Sequence, residues 1–228
     1  MEAEEDPKKV ILCYGDSNTW GYVPSGEGAR FPSHIRWPGV LSKLLRTNYR
    51  IVEEGLCGRT TCFDDPLAPG IERNGLKMLG AVLDTHKPID LVILFLGTND
   101  LKKRYSAPAV DVATGVANLV ARARNPLVGP TGSEAAPDVL VICPPTIWEV
   151  ANSFGPTFKG GREKSYELRH YYHEMAKATG VPLLYAEDFV HADTSDGIHL
   201  SAESHGVLGQ EVAKWILEWF DSPRNGAQ

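Results

Sequence analysis

Between Asp90 and Gly97 the chain reads Leu91-Val92-Ile93-Leu94-Phe95-Leu96, with no polar residue to interrupt it. A strand with one solvated face alternates apolar and polar residues. A continuous apolar run bounded by turn formers fits a strand buried on both faces, which is the habit of parallel sheets covered by helices on each side. Val10 to Tyr14 and Val139 to Cys143 repeat the pattern, and Tyr49 to Leu56 and Pro182-Leu183-Leu184-Tyr185 supply two further strands. The intervening segments carry apolar residues at helical spacing: Val40, Leu41, Leu44 and Leu45; Leu79, Val82 and Leu83; Val112, Val116, Leu119 and Val120; Leu168, Tyr172 and Met175; Val207, Leu208, Val212, Ile216 and Trp219. Parallel neighbours need a covering crossover. The alternation therefore predicts a three-layer α/β/α sandwich with a five-stranded parallel sheet. With the first strand central, the order is the flavodoxin-like 2-1-3-4-5.

One domain over residues 1–228 accommodates all five strands, with flexible extensions expected at 1–8 and 222–228. The helix after the third strand fits from Ser106, and the terminal helix from Ser201. Residues 146–162 hold too many aromatics and glycines for either regular period, and a loop of that length in a compact domain is usually functional.

Composition removes several function classes. A net charge of -6 leaves no electrostatic footprint for nucleic acid or an anionic membrane. No apolar run is long enough to span a bilayer, and Met1 to Lys9 has no apolar core, so a cytoplasmic protein is the expectation. Gly26-Glu27-Gly28 follows no strand and lacks the third glycine of a dinucleotide loop, and no phosphate-binding G-x-x-x-x-G-K-[ST] is present. Cys13, Cys57, Cys62 and Cys143 form no C-x-x-C pair, and His170 and His173 have no third ligand in view, so no metal is expected. A small-molecule partner remains.

The informative residues share a position in the fold. Ser17, Gly58, Asn99 and the Asp196-Gly197-Ile198-His199 turn each fall just beyond the carboxyl end of a strand or in the connection after it. In an open α/β sheet that edge is where ligands bind. Ser17 is a candidate nucleophile if a base reaches it. Of seven histidines, His199 is best placed, because it precedes the terminal helix at the same edge, and Asp196 three residues earlier can hold its Nδ1 side. The Ser17 and Gly58 amides and the Asn99 side chain are the available oxyanion donors. Taken singly, Ser17 reads first as a cap or turn residue and Asn99-Asp100 as an Asx turn or cap; their joint occurrence is what favours chemistry. Trp20, Tyr22, Phe95, Ile198 and the loop from Trp148 to Phe158 are candidate pocket walls, with plain core packing the competing reading.

Gly15-Asp16-Ser17-Asn18, Gly58, Gly97-Thr98-Asn99-Asp100 and Asp196-Gly197-Ile198-His199 resemble, in order and spacing, the four sequence blocks of the SGNH (GDSL-like) hydrolases. Glu53-Glu54-Gly55-Leu56, Gly58-Arg59-Thr60-Thr61, Asp64-Asp65-Pro66 and Asn74-Gly75 look like the bacterial arylesterase and acyltransferase subgroup. The resemblance implies Ser17 as nucleophile, His199 as base, Asp196 as its orienter, and Ser17, Gly58 and Asn99 as oxyanion donors. It also implies short-chain ester substrates, no metal or organic cofactor, and homo-oligomers in which neighbouring subunits narrow the entrance; an acyl-enzyme that passes its acyl group to an alcohol or peroxide in place of water gives acyl transfer or perhydrolysis as side activities. Asn18 stands where the family usually has Leu, and Tyr22 where the subgroup often has Trp. Asn18, Trp20, Tyr22 and Ile198 are the expected substrate-binding residues. A carbohydrate acetyl esterase or thioesterase with the same triad is the alternative, and a non-catalytic flavodoxin-like binding module the remote one.

Overall fold

The computed structural model describes residues 8–149 except residue 69, and residues 154–221. Most of the expected terminal extensions lies outside them. Five strands, β1 (Lys9–Gly15), β2 (Tyr49–Gly55), β3 (Leu91–Phe95), β4 (Asp138–Cys143) and β5 (Leu183–Tyr185), form one parallel sheet in the order β2-β1-β3-β4-β5. Six helices cover it: α1 (Ser17–Trp20), α2 (Trp37–Leu45), α3 (Gly75–His86), α4 (Ala109–Ala123), α5 (Gly161–Thr179) and α6 (Ala202–Asp221). The expected sandwich and strand order are what the chain adopts.

Strand pleating sorts the core into two layers. Leu12 and Tyr14, Val92 and Leu94, and Val139 and Val141 face α3, α4 and α5 through Leu79, Val116, Leu119, Leu168 and Tyr172. Their neighbours Ile11 and Cys13, Ile93 and Phe95, and Leu140 and Ile142 face α2 and α6 through Trp37, Leu41, Leu208, Val212 and Ile216. The apolar runs are continuous because both faces of each central strand are dry. Among the described residues no helix is long and apolar enough to cross a membrane.

Helix starts follow their caps. Asn74 accepts the Lys77 N–H with its side chain, opening α3, and Ser201 Oγ accepts the Ser204 N–H, opening α6 next to the expected position. The helix expected from Ser106 begins instead at Ala109. Ser106 sits at a φ of 49° after a 3₁₀ turn, and Pro108 supplies the extended residue that precedes the first helical turn. Phe95, offered as a pocket wall, belongs to the core beneath the sheet, where its ring meets Trp37 edge-on at 6.3 Å between centroids.

Candidate active site

The chain leaves β1 through Gly15 and turns at once into the single turn of α1. Asp16 caps that turn, its Oδ1 accepting the Asn18 N–H at 2.9 Å, and Gly21 closes it in the left-handed region at a φ of 88°. Gly15 is obligatory here for a different reason. A Cβ on it would stand 2.0 Å from Thr19 Oγ1. The tight turn brings the Ser17 hydroxyl to the carboxyl edge of the sheet.

His199 Nε2 stands 3.0 Å from Ser17 Oγ, and His199 Nδ1 stands 2.7 Å from Asp196 Oδ2. The other oxygen of Asp196 accepts the backbone N–H groups of Ile198 and His199, both at 2.9 Å, and the Ser25 N–H reaches Oδ2 at 3.3 Å. All three side chains are buried. Burial pushes the Asp196 carboxyl up, but the hydrogen bond and charge of His199 and the two backbone donors outweigh it, and the group lies below its ordinary range. Asp196 therefore stays ionised beside the imidazole and fixes the ring with Nδ1 protonated and Nε2 turned to Ser17. Tyr22 stacks on the imidazole at 4.2 Å between centroids, and Phe154 meets it edge-on at 5.7 Å. The ring is clamped on both its polar and its apolar sides.

A cavity of about 360 Å³ opens above this array, lined in part by Ser17, Tyr22, Gly58, Asn99, Ile198 and His199. The Ser17 and Gly58 amides have no protein acceptor among the described residues. Gly58 sits at a φ of 82°, a conformation that side chains resist. Asn99 Nδ2 donates one hydrogen to Asp16 Oδ2 at 3.2 Å, which orients the amide and leaves the second hydrogen for the cavity. Chemically, a hydroxyl beside a base, with three donors around one small volume, is an arrangement for acyl transfer through a tetrahedral oxyanion.

The GDSL-like Lipase/Acylhydrolase family model matches residues 13–207, a span that contains all of these groups. The chain belongs to this family. Solved structures place the GDSL-like fold of this chain beside two groups of esterases. It is 39% identical to the aryl esterase of M. smegmatis, covering 91% of this chain and 98% of that one with a TM-score of 0.85. It is 38% identical to Est24, a carbohydrate acetylesterase from Sinorhizobium meliloti, covering 93% and 100% with a TM-score of 0.87. A lipolytic G-D-S-L family protein from Veillonella parvula, at 13% identity and a TM-score of 0.59, over 90% of this chain and 97% of that one, shares the fold alone. Among curated proteins none matches this chain. Family and neighbours identify this GDSL-like protein as a carboxylic ester hydrolase.

Two expected substrate-binding residues of the hydrolase lie elsewhere. Asn18 is buried away from the cavity, and its amide is spent on the loop that carries the histidine: Nδ2 donates to the Ile198 carbonyl at 3.3 Å and Oδ1 accepts the Leu200 N–H at 3.0 Å. One residue along a helix rotates a side chain by about 100°, so the neighbour of a cavity-facing Ser17 points into the protein. Trp20 is outside the lining as well, with the Arg30 guanidinium 4.9 Å over its ring. Tyr22 and Ile198 do line the cavity.

The family fold also uses residues to which their sequence positions gave no separate role. Arg59 is 2% exposed; its guanidinium donates to the carbonyls of Gly15 and Glu54 and lies 4.0 Å over the Tyr14 ring. The carboxylate of Asp100 accepts the Thr61 N–H at 2.9 Å and the Thr61 hydroxyl. Together they bolt the Gly58 loop to β1 and to the Asn99 turn, which fixes the spacing of the donors. Arg73, Lys102 and Arg104 line the cavity mouth with Asp65. Nothing local in the sequence marks them, since charged residues in loops are usually solvated.

Proposed function

We propose that this hydrolase is a serine esterase of short acyl esters in which Ser17, His199 and Asp196 act as nucleophile, general base and orienter. His199 Nε2 accepts the Ser17 proton as Oγ attacks the ester carbonyl, and the developing oxyanion is held by the Ser17 and Gly58 amides and Asn99 Nδ2. The imidazolium then returns its proton to the departing alkoxide, leaving an acyl-serine. Water attacks that intermediate with His199 again as base, which releases the acid and restores the hydroxyl. The unbroken line from Ser17 Oγ to His199 to Asp196, at 3.0 and 2.7 Å, carries the reading.

Ser17→Ala tests it. Hydrolysis of a chromogenic aryl acetate is expected to fall by at least ~10⁴-fold with the circular dichroism of the wild type retained. Turnover within tenfold of wild type overturns the assignment, and failure of a fluorophosphonate to label Ser17 favours a binding module.

Alcohols or peroxide reaching the acyl-serine in place of water give transesterification or perhydrolysis as side activities, and a panel of aryl, sugar and thioester acetyl donors separates an aryl esterase from a carbohydrate acetylesterase or thioesterase. Four free thiols suit a reducing compartment, so we place the enzyme in the cytoplasm. Leu67, 71% exposed on the cavity rim, and Ile71 nearby are apolar surface that a neighbouring subunit would cover. We read the enzyme as a homo-oligomer on that basis, with light scattering as the check.

A further inference from the structure

The lining of the cavity is rich in cations, in a protein whose net charge is -6. Arg73, Lys102 and Arg104 all line it, and the acids do not balance them. Asp65, whose side chain is 5% exposed, accepts Arg104 Nη1 on both oxygens at 2.9 Å and the Leu67 N–H on Oδ1 at 3.0 Å, so that pair is closed. Arg73 and Lys102 make no ion pair or side-chain hydrogen bond among the described residues.

Both are held at the site. The Arg73 carbonyl accepts the Thr60 N–H at 2.9 Å, and its guanidinium reaches back over the oxyanion loop, where Nη1 stands 3.0 Å from the point at which a Gly58 side chain would begin. Lys102 follows Asn99 by three residues; the next amide in the chain, that of Lys103, is tied to the Thr157 carbonyl, and the Lys102 ammonium lies 6.0 Å from the Phe158 ring centroid. Burial and the like charges of Arg104 and Arg73, against the carboxylates of Asp65 and Asp16, bring the ammonium down to about 8, so it is still charged at neutral pH. Two half-buried cations beside the oxyanion donors, neither in an ion pair among the described residues, repel one another and have given up hydration, and a bound anion relieves both costs. A neutral aryl or alkyl acetate offers them nothing.

Resting on the serine-esterase reading above, we propose that the physiological substrates are esters bearing an anionic group, a carboxylate in the simplest case, which binds between Arg73 and Lys102. The guanidinium supplies a forked donor and the ammonium a point charge, a pairing suited to carboxylate oxygens. The ester carbonyl meanwhile sits at Ser17.

Paired substrates distinguish the arm that carries the charge. On the acyl side, the mono-4-nitrophenyl ester of adipic acid is compared with 4-nitrophenyl hexanoate; on the alcohol side, 4-acetoxybenzoate is compared with its methyl ester. At low ionic strength the wild type is expected to favour the anionic member of one pair by about tenfold or more in kcat/KM, chiefly through KM, with the preference shrinking as salt rises. Arg73→Gln and Lys102→Gln should each reduce that ratio at least about threefold, and Lys102→Arg should retain it. Equal kcat/KM within both pairs, or a ratio that neither variant moves, overturns the proposal while hydrolysis of the neutral esters leaves the esterase reading standing. Variants that slow both members of a pair equally assign the cations to the reaction instead of to selection, which also overturns it. No hydrolysis of any of the four esters removes the esterase reading, and the proposal with it.

Discussion

Two buried carboxylates stand at this sheet edge, one preceding Ser17 in the chain and one behind His199, and the structure treats them in opposite ways. Asp196 accepts the imidazole and the backbone N–H groups of Ile198, His199 and, at 3.3 Å, Ser25, and its carboxyl lies below the ordinary range despite burial. Asp16 is equally buried, but its partners are one backbone N–H and the neutral amide of Asn99. Burial dominates there and pushes the carboxyl up to about 6, with the Asn18 N–H and the charges of His199, Lys102 and Arg59 pulling against it. In the proposed reaction their roles differ accordingly: Asp196 is the anion facing a developing cation, whereas Asp16 holds a turn and aims an amide. Proximity to the nucleophile does not make a carboxylate part of the proton relay; the donors around it decide.

Substituting the two acids in parallel is the sharpest way to break this comparison. Asp196→Asn keeps the shape but favours the wrong imidazole tautomer, and kcat on an aryl acetate should drop by roughly 10³–10⁴-fold. A loss as large from Asp16→Asn would mean that both acids serve the relay. Asn99→Ala comes next, with an expected loss of about 10²–10³-fold in kcat and little change in KM, since an oxyanion donor acts only once charge develops. An Asn99 variant with wild-type kcat would remove that amide from the hole.

The acids also show how far the sequence reaches. The β1 junction, the four polar blocks and the strand order are legible because they rest on period and position: apolar runs name buried strands, and the turns beyond them name one edge. Bringing Asp196 three residues before His199 follows from the same logic. Direction within a turn is what spacing does not carry. Asn18 and Trp20 flank the cavity in sequence but not in space, because a four-residue helix distributes consecutive side chains around its axis. The burial of Arg59 and Asp100 is equally silent in the chain, since nothing local distinguishes a charged residue that will be enclosed by carbonyls or hydroxyls from one that will be solvated. The pairing of Arg73 with Lys102 at the cavity emerges only when two loops, separated by β3, are folded against each other.

Asp16→Asn should have an intermediate effect on rate and a diagnostic one on stability. Losing a charge-assisted acceptor for Asn99, about 1.5 kcal/mol, loosens one oxyanion donor, so kcat should fall on the order of tenfold. For stability the sign runs against acid denaturation. A carboxyl that titrates near 6 in the folded chain, and near 3.8 unfolded, binds its proton more tightly when folded, so the native state loses stability as pH rises from about 4 to above 6, by roughly 3 kcal/mol at most. Asp100, raised to about 7 chiefly by burial, adds a decline of the same sign. The Asp16→Asn protein carries only the second of these, and its Tm relative to wild type is expected to rise between pH 5 and pH 8. A difference in Tm that is flat across that range would show Asp16 to be ionised throughout.

Asn18→Leu should do least to the chemistry, although it restores the residue most usual at this position. The side chain does not line the cavity, so acyl preference should be unchanged across acetyl, butyryl and hexanoyl esters. What it does hold is the underside of the loop that carries Asp196 and His199, through the Ile198 carbonyl and the Leu200 N–H. Leucine leaves both backbone groups buried without a partner, at a cost of about 1–3 kcal/mol, or a Tm lower by roughly 3–10 °C in a chain of this size. Because Asp196 and His199 hold each other and the His199 ring is clamped by Tyr22 and Phe154, kcat should fall only a few-fold. A changed acyl-length profile would put Asn18 back on the pocket wall; a large loss of kcat at unchanged Tm would make it an aligning partner of His199 in its own right; and a lower Tm with near-normal turnover would establish that the relay is positioned from above, by the aromatic clamp, while Asn18 only keeps its loop folded.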